Sequence, residues 1–171
     1  VSCSDCHDPH SLQRVADGVG PLYHRRYWID VTDTRYGPEE LISAVCRQLD
    51  HVVPGELARF EGRADSPDDV RLEVGNELVV RLPGPWDGPV RVIERTPTSF
   101  RLATLDGHVE AGEIDFRACR TERGFIRFEI ESWARSGNPT VHFLYDRFGL
   151  AREMQTQMWA QLCNRVARLS G

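Results

Sequence analysis

The hydrophobic period of this 171-residue chain changes once along its length, and that change limits the folds open to it. Upstream of Ser136-Gly137-Asn138-Pro139 apolar residues alternate at period two, the spacing of strands with one buried face. The alternation is clearest over Phe125–Trp133, where Ile126, Phe128 and Ile130 share one face and Arg127, Glu129 and Glu131 the other. Downstream, Leu144, Phe148, Ala151, Met158, Leu162, Val166 and Leu169 recur at helical spacing. They predict one amphipathic helix of roughly 40 Å, with Gly149 as a candidate bend.

Other stretches with strand character are Leu22–Val31, Val70–Val74, Glu77–Leu82, Pro89–Arg95, Ser99–Leu105 and Ala111–Cys119. Gly75-Asn76, Pro83-Gly84-Pro85, Pro97, Asp106-Gly107 and Arg123-Gly124 supply turns between the later ones, as an antiparallel meander requires. After the first strand, Gly37-Pro38-Glu39-Glu40 reads as a helix start, with Leu41, Ile42, Val45 and Leu49 at helical spacing. Pro54 interrupts, Glu56–Phe60 reads as a second short helix, and a polar loop runs from Gly62 to Asp69. The sum is an α+β helix-grip arrangement: a curved antiparallel sheet of about seven strands wrapped around a long C-terminal helix, with a pocket between them. Residues 1–20 carry few apolar positions and read as an N-terminal extension packed loosely or not at all, and 21–171 as a single domain.

Composition narrows the chemistry. All 21 basic residues are arginine, so Schiff-base, pyridoxal-phosphate and phosphate-loop mechanisms, which need a lysine nitrogen, are excluded. A net charge of -5 with scattered arginines argues against nucleic acid as a partner. No apolar run approaches the roughly 20 residues that span a bilayer, so no membrane partner is expected. The start, Val1-Ser2-Cys3-Ser4-Asp5-Cys6-His7, lacks the pattern of a signal peptide, and five cysteines are an odd number for a disulfide framework. A cytoplasmic protein with reduced thiols, monomeric or homodimeric, is expected.

Gly88-Pro89-Val90-Arg91-Val92-Ile93, followed by Phe100-Arg101-Leu102-Ala103-Thr104-Leu105-Asp106-Gly107-His108-Val109-Glu110-Ala111-Gly112-Glu113-Ile114-Asp115-Phe116, resembles the central signature of an uncharacterised plant and actinobacterial family of unknown function. That family is similar to the START-like (SRPBCC) helix-grip superfamily, which includes birch-pollen-allergen-like and polyketide-cyclase-like proteins. The resemblance runs from about Tyr36 to the end and implies a hydrophobic-ligand cavity. Its departures are Leu102-Ala103-Thr104 for an aromatic-Gly-Thr, Ile114 for an acid, and Trp133-Ala134-Arg135 for an aromatic-Ser-Arg. They imply a less polar pocket where they face inward. Complete use of arginine for lysine hints at GC-rich coding, in keeping with an actinobacterial source.

His108, Glu110 and Glu113 are the densest titratable cluster near the expected rim, so His108 and Glu113 are candidate acid/base residues, with Tyr27 as a third. The alternative is that His108 and Glu110 cap a hairpin while Glu113 points to solvent. Alternation nominates Tyr23, Phe100, Leu102, Thr104, Phe116, Phe128 and Ile130 as pocket lining, with Tyr145 and His142 reaching in from the long helix. Cys3, Cys6, His7 and His10 match a haem-attachment spacing and could also hold zinc, but a disordered tail is the simpler reading, so neither metal nor cofactor is expected. The favoured function is binding a small hydrophobic molecule as a cofactor-independent cyclase, dehydratase or isomerase of polyketide-like secondary metabolism, that is, natural product biosynthesis. The alternatives are a non-catalytic lipid or small-molecule carrier or sensor, and an oligomer surface using Trp86, Trp133 and Trp159.

Overall fold

The computed structural model describes residues 11–55, 59–62, 71–81, 87–140 and 150–171. In chain order the elements are β1 (Val19–Val31), α1 (Pro38–Arg47), α2 (Leu49–Val52), β2 (Arg59–Gly62), β3 (Glu77–Arg81), β4 (Asp87–Thr96), β5 (Ser99–Thr104), β6 (Glu110–Arg120), β7 (Ile126–Ser136) and α3 (Leu150–Ser170). Strands β2 to β7 form a meander, and β1 closes it by pairing with β7, giving the order β1-β7-β6-β5-β4-β3-β2. Every adjacent pair is antiparallel. The long helix lies against one face, contacting β1 and β7, so the architecture is the expected α+β helix grip.

Local sequence explains the elements. Pro38 opens α1 where an amide would be unbonded, Glu39 and Glu40 occupy the positive end and Arg47 the negative end. Its buried stripe is Leu41, Ile42, Ala44 and Val45. Alternation in β7 buries Ile126, Phe128 and Ile130 beneath Met158, Leu162 and Val166 of α3. Phe100 and Phe116 stack with ring centres 4.6 Å apart, and Trp159 meets Phe116 edge-on at 5.8 Å. Such offset and edge contacts are favourable geometries for aromatic quadrupoles.

Three expectations change. Residues 71–74 form no strand and lead into a turn at Gly75, whose φ of 95° suits glycine. The additional short strand is instead Arg59–Gly62, overlapping the end of the predicted helix Glu56–Phe60. There, pairing with β3 from Arg59↔Arg81 to Gly62↔Leu78 buries Phe60 and overrides local helix preference. The second helix is Leu49–Val52, ahead of Pro54.

The first strand begins at Val19, and the preceding segment is tied to the sheet rather than loose. Gln13 N donates to Thr104 O at 2.8 Å, Asp106 N donates to Ser11 O at 3.0 Å, and Leu12 bridges Leu105. Residues 1–10, the polar loop 63–70, and 141–149, with Leu144, Phe148 and the candidate bend Gly149, lie outside the described residues. Among the described residues no helix is long and apolar enough to cross a membrane.

Candidate functional site on the inner sheet face

The sheet face toward α3 has two unlike halves. One is closed by bulk: Phe100, Leu102, Phe116, Phe128 and Ile130 are at most 2% exposed and pack among Met158, Leu162 and Val166. Toward the other end of β7 the inward positions shrink to Ser132, Ala134 and Ser136, and on β6 to Gly112 and Glu110. The register sets Ala134 beside both Tyr23 of β1 and Gly112 of β6. Small side chains there leave room above the strands, and Arg25 uses it: its guanidinium crosses β7 to lie 3.6 Å from the Glu110 carboxylate and 5.0 Å from the Tyr23 ring centre. Both charged side chains are about 15% exposed, at 14% and 15%. Withdrawal from water strengthens their attraction and raises the cost of removing either one.

Tyr27 lies one step along the same face, with its hydroxyl 3.4 Å from Thr156 Oγ1 of α3. Leu102 and Ile114, two of the departures from the family signature, pair directly on the inner face. Ala134, a third, is also inward and buried. The inner wall is accordingly apolar at Leu102, Ile114 and Ala134, and Arg25 and Glu110 place an ion pair beside it.

The candidate acid/base residues occupy separate places. His108 sits in the turn between β5 and β6, where Gly107 takes a φ of 89°. Its Nδ1 accepts the Glu110 amide at 2.9 Å, and its ring packs so closely on Gly88 that an added Cβ there would lie 2.9 Å from Nε2. Burial pushes its pKa down to about 4. The ring is therefore neutral near pH 7, with Nδ1 already engaged. Glu113 extends from the outer face, 3.9 Å from Arg101, and borders a hollow of about 260 Å³ beneath Leu12, Gln13 and Arg14. Tyr27 alone of the three faces α3.

Thr104 is expected to point into the cavity, but its hydroxyl accepts the Gly112 amide at 3.0 Å and donates to Gln13 O at 2.8 Å. It joins three segments of backbone. Tyr145, His142, Trp86, Cys3, Cys6, His7 and His10 lie outside the described residues. Of the other tryptophans, Trp133 stacks on His24 of the outer face and Trp159 belongs to the core. Among the described residues no group of three or more His, Cys, Asp or Glu is arranged to hold a metal. The residue the sequence reading passed over is Arg25. Its signal was its place between Tyr23 and Tyr27 at period two, which puts a cation on an aromatic inward face.

The outer face is a continuous ion-pair lattice. Buried Glu129 receives Arg26 from β1 at 2.6 Å and Arg117 from β6, while Glu131 receives Arg117 at 2.7 Å and meets His24 at 2.8 Å. Arg127 grips Asp30 through two hydrogen bonds of 2.6 and 2.8 Å. Burial raises the Asp115 pKa, against the pull of Arg101 and Arg117. These contacts consume the charges of the face structurally.

Solved structures share this architecture. Norcoclaurine synthase from Thalictrum flavum superposes with a TM-score of 0.60 at 12% identity, covering 99% of this chain and 96% of that one. Major latex-like protein 151 from Panax ginseng gives 0.56 at 8%, covering 88% and 99%. The KanY protein gives 0.61 at 7%, covering 89% and 100%. At these identities the agreement establishes the fold alone, a helix grip. Comparison of the sequence with curated proteins found no match. The model of a domain of unknown function, DUF1990, matches residues 25–165, and the chain therefore belongs to the DUF1990 family.

Proposed function

We propose that the protein binds a small, largely hydrophobic molecule between the inner sheet face and α3, with a polar end of the ligand directed toward Arg25 and Glu110. The observation that carries this reading is the division of the inner face into a packed aromatic half and a half of small residues crossed by one ion pair. Apolar walls with a few fixed polar groups are the usual composition of a small-molecule site. The helix-grip fold supports it, and carriers as well as enzymes use such folds.

A carrier or sensor role is favoured over catalysis by His108, Glu113 and Tyr27, because those three do not face a common space. A cofactor-independent cyclase or dehydratase is the second reading, resting on Glu110 and Tyr27, which do share the inner face. The test is titration with 1-anilinonaphthalene-8-sulfonate, whose rings suit the apolar wall and whose sulfonate suits Arg25. Saturable binding weakened roughly tenfold in Arg25→Met, the loss of one charged hydrogen bond, is expected. Binding that is absent, or indifferent to Arg25, would overturn the reading.

A further inference from the structure

We propose that two copies of this chain join edge to edge through β1, about a two-fold axis passing beside Trp28. β1 is 13 residues long and ends the described sheet, with β7 on one side only. At about 3.3 Å per residue it is longer than most strands, and an edge of this length is a template for another strand unless something guards it. The usual guards are free charges and prolines. Here only Pro21 qualifies, near the start, because the charges of the central stretch are drawn back into their own sheet: His24 to Glu131, Arg25 to Glu110, Arg26 to Glu129 and Asp30 to Arg127.

Trp28 lies in that stretch and is 55% exposed, one of three large exposed hydrophobics among the described residues. Below the edge, a groove of about 320 Å³ runs between Arg26–Ile29 and the α3 residues Ala160, Cys163 and Asn164. Among the described residues, those of α3 that line it are uncharged. It can therefore take apolar side chains from an added strand.

The sequence of β1 selects a second copy of itself as that strand. Facing residues in an antiparallel pair lie on the same sheet face, so a two-fold axis must set one residue against its own equivalent. An axis at Arg25 or Arg26 opposes like charges. An axis at Trp28 sets the two indoles together, pairs Arg26 with the partner's Asp30 twice on the outer face, and pairs Tyr27 with the partner's Ile29 twice on the groove face. Residues 26–30 of each copy are then matched in charge and polarity.

Sedimentation equilibrium and a charge-pair experiment test this. The wild type is expected to be dimeric at roughly 100 µM, a concentration at which even weak specific pairs associate. Trp28→Glu and Trp28→Arg should each give a folded monomer by circular dichroism, with self-association weakened roughly 100-fold by like charges at the axis. Mixing the two variants should restore a 1:1 dimer, because opposite charges then face each other across the axis. A monomeric wild type overturns the interface. Trp28→Glu that remains dimeric overturns the axis, since it would place residue 28 opposite a residue other than its own equivalent. Two monomeric variants that fail to pair on mixing overturn it as well.

Discussion

Arg25 of β1 and Glu110 of β6 meet at 3.6 Å although β7 runs between their strands. The span is possible because β7 presents Ser132, Ala134 and Ser136 beneath the arginine stem. Each partner is held largely out of water, so Glu110→Gln should cost about 1–3 kcal/mol by leaving the guanidinium short of a counter-charge. Arg25→Met with Glu110→Met should cost less than the sum of the two single changes. Urea denaturation of the four proteins gives the coupling, and strict additivity would contradict a direct interaction.

His108 makes stability depend on pH in a defined sense. Its folded pKa, about 4, lies below the unfolded value near 6.5, so the unfolded chain binds the proton first. The neutral ring's contribution is complete above pH 6.5 and is lost as pH falls toward 4, a change on the order of 3 kcal/mol. His108→Asn keeps an acceptor for the Glu110 amide and cannot titrate. Denaturant unfolding at pH 7, 5.5 and 4 should show a shallower decline for the variant, and parallel curves would refute the assignment.

Gly112 lies so close to the Trp133 carbonyl of β7 that a Cβ could not be placed without moving the backbone. Gly112→Ala should therefore cost more than about 2 kcal/mol, although strand propensity alone would favour alanine over glycine. Gly55, with nothing within 4 Å of an added Cβ, is the control. Thermal unfolding of Gly112→Ala and Gly55→Ala compares them directly.

Phe116 is 1% exposed and touches both Phe100 and Trp159. Phe116→Ala should cost about 3–5 kcal/mol and Phe116→Leu much less, read from urea midpoints. If this half of the face were an open chamber, the alanine variant would lose far less.

Burial pushes the Cys163 thiol up to about 12, and Cys46 is raised for the same reason. Cys119 is exposed. Peptide mapping after brief iodoacetamide treatment at pH 8 should find Cys119 modified and Cys163 protected. Equal labelling of the two would show that α3 does not sit as described.

The strands that carry the core were legible because their alternation is strong: Ile126, Phe128 and Ile130 could face only one way. Arg59–Gly62 was not, since a four-residue edge strand holding Arg59 and Glu61 has too little period to separate from a helix. The helix-grip architecture followed from the order of elements, whereas the candidate site followed only in part. Alternation correctly turned Tyr23, Tyr27 and Phe116 inward. The pairing of Arg25 with Glu110 depends on which strands become neighbours, and residues 85 positions apart leave no local trace of it. The cluster of His108, Glu110 and Glu113 looked compact because it is short in sequence, but a turn followed by a pleated strand sends its members in three directions.

The outer lattice around Glu129 and Glu131 is fastened by guanidinium groups, assisted by one imidazole. An ammonium-based clasp would begin to discharge near pH 10, whereas guanidinium stays protonated well beyond that point. With no lysine in the chain, the side-chain hold of β1 and β6 on β7 should persist in alkali where an ammonium clasp would let go.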